Sequence, residues 1–258
     1  MTDTPVALAL EGKVATLTIQ REKQRNTLDL DTLDLLLQHL DEIAADDAVR
    51  VVVLTGAGEK AFCAGADLSL ITRWSEIQER GENPYTVLLH RLIAYPKPVI
   101  ARINGPVMGG GVGVALACDL AVAADDTVIA TPEVHIGLFP FMVMPLLSHH
   151  VGPKRAAEMA LTGRKVPTPE AVTLGLINQA VPRAELDDAV AALATQLMKG
   201  GPGAQALGKE AVGDVLDGPL HERIDAMADH FVKGLQSPEF MAGVQAFMSK
   251  TAPPWQEE

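Results

Sequence analysis

The pattern of apolar and polar positions in the first hundred residues predicts strands that alternate with helices. Val6–Leu10 and Val14–Ile19 are short alternating runs separated by a glycine-containing turn, which is typical of a β-hairpin. Leu28–Ala45 places leucines on one helical stripe. The apolar runs Val51–Leu54 and Pro98–Ile103 predict buried strands. This succession of strands and helices indicates an α/β fold.

Helices and short strands continue to about Pro145, after which the pattern is mostly helical. Leu68–Ala94 predicts a helix with a break near Gly81, and Gly110–Ala117 predicts a short helix of small residues. Further short strands are expected at Leu120–Ala124, Val128–Ala130 and Ile177–Ala180. From about Leu193 onward the pattern is helical, with the charged and apolar stripes of a region that packs on a neighbour. We therefore divide the chain into a core domain, residues 1–192, and a C-terminal helical oligomerisation region, residues 193–258.

The composition narrows the class of protein. Of the 258 residues, 48% are hydrophobic and 21% are charged, as in a globular protein with a substantial core. The net charge of -12 argues against a nucleic-acid partner, although local basic residues can still hold an anionic ligand. No apolar run reaches membrane-spanning length, and the N-terminal residues do not resemble a signal peptide. Together with the two cysteines in apolar settings, Cys63 and Cys118, these features predict a cytoplasmic protein without a membrane partner.

Two glycine-rich turns suggest where the chemistry takes place. Ala61–Leu68 contains one such turn, and Ile103–Leu120 contains Gly109-Gly110-Gly111. Each turn joins an apolar run to a predicted helix, and such a turn can present bare backbone N–H groups to a ligand. Two turns that converge on one oxygen would form an oxyanion hole. Taken alone, the first turn is equally compatible with a plain strand-to-helix connection.

The motifs of several other common binding and catalytic sites are absent from the sequence or have the wrong spacing. Val114 stands where a dinucleotide-binding loop needs its third glycine, and no Gly-Lys-Ser/Thr follows as in a P-loop. The sequence has no Gly-x-Ser-x-Gly elbow and no Cys/His cluster with zinc spacing. His149 and His150 are adjacent, whereas a helical metal pair needs a spacing of three or four. We therefore expect neither a metal nor a redox cofactor.

Short motifs in order along nearly the whole chain resemble the crotonase (enoyl-CoA hydratase/isomerase) superfamily. Besides the two glycine segments, they include Lys97-Pro-Val-Ile-Ala, Thr131-Pro-Glu133, Gly175-Leu-Ile-Asn178 and Phe247-Met-Ser-Lys250. The resemblance implies a spiral of ββα units followed by a C-terminal helical trimerisation region, and hence a homotrimer or a hexamer of two trimers. It also implies an acyl-CoA thioester substrate whose enolate is stabilised. Coenzyme A then enters as part of the substrate, and no separate cofactor is expected.

The resemblance assigns roles to individual positions. The oxyanion N–H groups would be those of Ala66 and Gly110, and the adenine would lie against Ala64, Asp67 and Leu68, largely along the backbone. The remaining positions are Lys23, Arg25 and Lys60, near the CoA phosphates, and Phe247 and Lys250, which would reach a neighbouring subunit's CoA site. The physical logic agrees, because a thioester that loses its Cα proton moves charge onto its carbonyl oxygen, where two N–H donors stabilise it.

One position departs from the family's pattern. Hydratases of the crotonase superfamily use two glutamates, one shortly after the triple glycine and one in a later Pro-Glu pair. Glu133 supplies the second, but Gly113 stands at the first position and has no side chain. One carboxylate is enough to move a proton between C2 and C4. The sequence therefore favours single-glutamate enoyl-CoA isomerisation, as in the Δ3,Δ2-enoyl-CoA isomerases.

Several alternatives remain open at this stage. The first is water addition to a trans-2-enoyl-CoA, the second is a catalytically silent acyl-CoA-binding protein, and this fold also hosts thioester hydrolysis and decarboxylation. Glu133 has the alternative role of a surface or helix-capping acid. His135 either assists it or is structural, and the structural role is favoured. The bulky residues Phe139, Phe141, Met142 and Met144 either shape an acyl pocket or cap a core helix.

Overall fold

The computed structural model describes residues 4–67, 69–215 and 219–256. Its larger sheet begins with the predicted antiparallel hairpin of β1 (Val6–Glu11) and β2 (Val14–Ile19). It continues in parallel with β3 (Val51–Gly56), β4 (Val99–Ile103), β6 (Leu120–Ala124) and β9 (Gln179–Val181), in the order β1-β2-β3-β4-β6-β9. A smaller sheet contains β5 (Val107–Met108), β7 (Val128–Ala130) and β8 (Val166–Pro167).

The helices follow the strands in the expected alternation. In chain order they are α1 (Leu30–Ala45), α2 (Ser69–Thr72), α3 (Trp74–Glu79), α4 (Pro84–Ile93), α5 (Gly110–Ala117), α6 (Met144–Thr162), α7 (Thr168–Leu174), α8 (Leu186–Met198), α9 (Pro202–Val215), α10 (Leu220–Leu235) and α11 (Pro238–Ser249). The segment predicted as a helix with one break is divided into α2, α3 and α4. Asn83 caps α4 by accepting a hydrogen bond from the Tyr85 N–H, and Pro84 supplies the favoured first residue. The α/β prediction is confirmed.

Both faces of the central strands are covered, which explains why β3 is buried at every position. Val52 and Leu54 of β3 face the main core. Val51 and Val53 face the opposite side, where they pack in a second cluster with Leu186 of α8 and other residues. The period of two along the strand therefore separates two hydrophobic layers.

The C-terminal helices carry exposed apolar residues. Along α10, Leu220, Ile224, Phe231 and Leu235 are exposed and recur at helical spacing. The predicted boundary at residues 192/193 falls inside α8, which packs on β3, β4 and β6. The division into a core domain and an oligomerisation region stays a prediction. None of the helices in the described parts of the chain is long and apolar enough to span a membrane.

Candidate active site

The two glycine-rich turns lie against each other. The Met108 N–H donates to the Cys63 carbonyl over 2.9 Å, which joins the two segments directly. Gly65 has a φ of 89°, and a Cβ there would stand 2.8 Å from the Gly110 nitrogen. A Cβ on Gly111 would overlap with the Cys63 carbonyl oxygen. Glycine is therefore required on both sides of the contact, because any side chain would separate the turns.

The hydrogen bonds around the first turn determine where its free N–H group points. Leu28 donates to the Gly65 carbonyl over 2.8 Å and accepts from the Asp67 N–H over 2.9 Å. In this parallel bridge both bonds go to residues that flank Ala66, so the Ala66 N–H faces away from Leu28. Gly110 is the first residue of α5, where the N–H groups have no partner within the helix and the helix dipole is positive. Both groups suit a developing oxyanion.

Glu133 lies beside the second turn. It belongs to a single 3₁₀ turn, Pro132–Ile136, and its Oε1 would be 3.1 Å from a Cβ on Gly109. Gly109 has a φ of 55°, a conformation that glycine adopts at no steric cost. Within the described residues, the buried Oε2 of Glu133 has no hydrogen-bond partner. Burial raises the pKa of Glu133 above its ordinary value, as expected for a proton-transferring carboxyl group.

A cavity of about 530 Å³ connects these groups, with Ala66, Gly110 and Glu133 all in its wall. Much of the remaining wall is apolar, with contributions from Leu30, Leu33, Ile77, Ile136, Leu138, Phe139, Met142 and Val143. An apolar cavity with a few convergent polar groups is the usual form of a small-molecule site.

The four bulky residues around α6 have different surroundings, and Phe141 fits neither of the two roles considered for them. Phe139 and Met142 line the cavity. Phe141 is exposed, and Met144 packs against the main core.

Tyr85 is a polar residue of this cavity that the sequence analysis did not identify. It is 5% exposed, and its hydroxyl donates to the Gly110 carbonyl over 2.6 Å. A Cβ on Gly113 would overlap with the Tyr85 hydroxyl oxygen. Glycine at position 113 therefore makes room for this hydroxyl. Burial, followed by the nearby Cys63 and Glu133, raises the pKa of Tyr85, so that the hydroxyl keeps its proton at neutral pH.

Asp67, one of the predicted adenine-site residues, has a side chain that fixes the first turn. Its Oδ2 accepts from Arg21 over 3.0 Å and from Thr27 over 2.8 Å, and its Oδ1 accepts from the Ser69 N–H over 2.9 Å. The pKa of Asp67 falls to about 2, because these hydrogen bonds and the Arg21 charge outweigh the effect of burial. Asp67 and Ala64 both line the cavity.

None of the remaining predicted CoA residues that the structure describes lines the cavity. Leu68 lies outside the described residues, so its role stays a prediction. Lys23, Arg25 and Lys60 are exposed and do not line the cavity. The Arg25 carbonyl accepts from the Ala64 N–H over 3.0 Å, which places the backbone of Arg25 next to the first turn. Phe247 and Lys250 lie at the exposed end of α11 and do not line this cavity either.

Three other candidate side chains have structural contacts. His135 pairs through Nε2 with the Thr162 carbonyl over 3.0 Å, consistent with the favoured structural role. Cys63 and Cys118 are buried free thiols, and burial raises the pKa of Cys63 to about 12, which makes it a poor nucleophile. No group of three or more His, Cys, Asp or Glu side chains suited to a metal ion occurs among the residues that the structure describes.

The chain is similar to known proteins along nearly its whole length. The sequence model of the family described as enoyl-CoA hydratase/isomerase matches residues 9–258. A putative enoyl-CoA hydratase of Thermus thermophilus is 37% identical over 94% of this chain and 97% of its own length. A short-chain-enoyl-CoA hydratase of Clostridium acetobutylicum is 33% identical over 95% of both chains. The crystal structure of an enoyl-CoA hydratase from Bacillus anthracis superposes with a TM-score of 0.89, at 32% identity, over 98% of this chain and 100% of that one. With its two converging glycine turns and Glu133 beside them, the chain belongs to the enoyl-CoA hydratase/isomerase family and has the crotonase fold.

Proposed function

We propose that this protein catalyses the reversible addition of water to a trans-2-enoyl-CoA. The observation that carries the proposal is the buried, unpartnered oxygen of Glu133 in the same cavity as Ala66 and Gly110. The Clostridium acetobutylicum relative is named for this reaction, which supports hydration over the isomerisation favoured by the sequence alone. The apolar part of the cavity wall suits the acyl chain of such a substrate.

The proposed mechanism uses one carboxylate in two directions. The oxygen of a water molecule bonds to C3 while one of its protons passes to ionised Glu133. The π electrons of the C2=C3 bond move toward C1, and negative charge develops on the thioester oxygen. The N–H groups of Ala66 and Gly110 stabilise that charge. Glu133 then returns the proton to C2, which yields the 3-hydroxyacyl-CoA and restores the carboxylate.

Isomerisation is the second candidate, and Gly113 is the observation that favours it. No carboxylate stands at that position, and Glu133 alone can take a proton from C2 of a 3-enoyl-CoA and return it at C4. The same oxyanion pair would hold the enolate in both reactions. A silent binding protein is less well supported, because it has no need of a half-buried carboxyl group with a raised pKa beside the N–H pair.

The test is to assay both reactions on the purified protein over several acyl chain lengths, beside Glu133→Gln. We expect hydration to exceed isomerisation. The variant should lose roughly 10²–10⁴-fold in hydration rate, because the amide keeps the shape but cannot accept the proton. Binding of a saturated acyl-CoA should persist in the variant. If isomerisation exceeds hydration, the protein is an isomerase instead. If the activity does not depend on Glu133, the proposed catalytic role of Glu133 is wrong.

The remaining functional statements are also proposals. We place the CoA phosphates near Lys23, Arg25 and Lys60, on the side of the cavity where Arg25 meets Ala64. The proposed reaction transfers protons and uses no electron acceptor, so CoA takes part only as a portion of the substrate. We propose a cytoplasmic enzyme, in keeping with its two free thiols. We also propose a homotrimer or hexamer in which the C-terminal helices bring Phe247 and Lys250 to a neighbour's CoA site.

A further inference from the structure

The hydroxyl of Tyr85 and the carboxylate of Glu133 flank the same turn. Glu133 Oε1 would be 3.1 Å from a Cβ on Gly109, and the Tyr85 ring and hydroxyl would be 3.4 Å from a Cβ on Gly110. Consecutive α-carbons are only about 3.8 Å apart, so the two side chains approach neighbouring points of one backbone segment. Both residues line the same cavity.

The hydrogen bond that Tyr85 already makes determines what else it can do. A tyrosine hydroxyl has one proton to donate and lone pairs that accept. Its proton is engaged by the Gly110 carbonyl over 2.6 Å. The part of Tyr85 left for a ligand is therefore an acceptor. Its raised pKa keeps it a neutral phenol, which neither ionises near Glu133 nor competes with it as a base.

Water addition needs an acceptor of this kind. A water molecule that attacks C3 has two protons, of which one passes to Glu133. The second stays on the new hydroxyl group and needs an acceptor if the water is to keep one orientation. Gly113 has no side chain for this purpose, and the hydroxyl of Tyr85, a residue of the cavity wall, occupies the space beside Gly113.

We propose that Tyr85 is a catalytic residue that holds the attacking water through its hydroxyl oxygen, while Glu133 removes the other proton. In this step the C3–O bond forms, one O–H bond of water breaks, and its proton goes to Glu133. The second O–H bond remains intact and donates to Tyr85, which keeps its own proton on the Gly110 carbonyl. The inference rests on the proposed hydration reaction.

The structure supplies a matched control for this proposal. Tyr95 is also buried, and its hydroxyl donates to the Leu40 carbonyl over 2.7 Å. Tyr95 does not line the cavity. Tyr85→Phe and Tyr95→Phe therefore each remove one buried tyrosine-to-carbonyl hydrogen bond of similar length, and only Tyr85→Phe removes an acceptor from the site.

The experiment measures hydration, isomerisation and saturated acyl-CoA affinity for both variants and for the unmodified protein. For Tyr85→Phe we expect the hydration kcat to fall roughly 10- to 100-fold, the effect of losing one hydrogen bond in the transition state. Isomerisation, KM and acyl-CoA affinity should stay near their original values, because none of them needs an oriented water. Tyr95→Phe should leave all four quantities nearly unchanged.

Each contrary outcome has a separate meaning. If Tyr85→Phe hydrates as fast as the unmodified protein, the role of Tyr85 is wrong and the proposed function stands. If hydration and isomerisation fall together, Tyr85 only positions Gly110 and the water-holding role is wrong. If the unmodified protein does not hydrate, the proposed function fails and the role of Tyr85 fails with it.

Gly113→Ala gives an independent route to the same answer, and also serves if Tyr85→Phe does not fold. Its new methyl group would overlap with the Tyr85 hydroxyl and displace it. We expect the same selective loss of hydration from this variant. In Tyr85→Phe the nearest ring carbon would be 3.4 Å from that methyl group, so adding Gly113→Ala should cause little further loss. Normal hydration by Gly113→Ala, or additive losses in the double variant, would overturn the proposal.

Discussion

Two glutamates in two concave regions show how environment decides the role of a carboxylate. Glu133 lines the cavity of about 530 Å³ that we propose as the active site, where burial raises its pKa and its Oε2 has no partner within the described chain. Glu239 lines a larger groove of about 770 Å³ among α9, α10 and α11. Its two oxygens accept from the Gly203 and Ala204 N–H groups, each over 2.9 Å, at the start of α9.

The difference shows that volume is a poor guide to chemistry. The groove is larger, but Glu239 is engaged as a helix cap and stabilises the positive end of α9. In the smaller cavity, Glu133 has a carboxylate oxygen that can still accept a hydrogen bond, and it lies with the N–H groups of Ala66 and Gly110 and the Tyr85 hydroxyl. We propose proton transfer for the smaller cavity, and the exposed apolar residues around the groove fit the proposed interface between subunits.

Among the tests of this comparison, the largest expected effect concerns the backbone N–H group of Gly110 in the smaller cavity. Gly110→Pro removes one oxyanion donor at a position where the first turn of a helix tolerates proline. We expect hydration to fall roughly 10²–10³-fold. Gly110→Ala is the control, since it retains the N–H and places a methyl group at a contact distance of 3.4 Å from Tyr85. Equal activities in the two variants would show that the Gly110 N–H is not a donor.

The next test concerns the larger groove and the helices that form it. Replacing both Ile224 and Phe231 with Glu charges the exposed apolar stripe of α10. We expect sedimentation to show smaller species than for the unmodified protein, because desolvating two carboxylates at an interface is strongly unfavourable. Leu10→Glu is the control, because Leu10 is an exposed apolar residue of β1. An unchanged oligomer in the α10 variant would show that this stripe does not contribute to oligomerisation.

The smallest expected effect is on thermal stability. Replacing glutamate with glutamine should stabilise the protein at position 133 and destabilise it at position 239. A raised pKa means that ionised Glu133 destabilises the folded state, and this cost is present above the folded-state pKa and absent at low pH. Glu133→Gln should therefore raise the midpoint of thermal unfolding at pH 8, and raise it by less as the pH falls. Glu239→Gln should lower it by about 2–4 °C, because one N–H of α9 loses its acceptor.

Differential scanning calorimetry across the pH range measures the shift in unfolding midpoint for both variants. Shifts of the same sign in the two variants would contradict the distinction. The pH dependence of hydration gives a parallel measurement for the unmodified protein. Its kcat/KM should decline as the pH falls through the raised pKa of Glu133, since only the ionised form accepts the proton from water.

The sequence was sufficient for features that depend on local pattern. The hairpin, the buried strands β3 and β4 and the short helix Gly110–Ala117 are found as predicted, because strand alternation and glycine turns carry their signal within a few residues. The strand predicted at Ile177–Ala180 lies instead at Gln179–Val181. The approach of the two glycine turns also agrees with the prediction. The contact requires glycine at Gly65 and Gly111, which accounts for glycine in both turns.

Tyr85 could not be predicted because its role depends on a contact that spans 25 residues of chain. In sequence it is one aromatic residue among the apolar positions of α4. The available signal was indirect: Gly113 has no side chain, so the space beside it can hold a group from another segment. The preference for isomerisation followed from the same gap, since a missing carboxylate was interpreted without knowledge of the hydroxyl that fills its place.

The hydrogen bond between Arg21 and Asp67 has a consequence for how the enzyme acquires activity. It joins residues 46 positions apart, and the neighbouring approaches of Gly65 to Gly110 and of Glu133 to Gly109 likewise bring distant segments together. Contacts of this span require long loops to close, which costs chain entropy. A chain with intact helices and strands but unclosed loops would have no oxyanion hole. Acyl-CoA binding therefore reports the completed tertiary structure, which no single fragment of the chain contains.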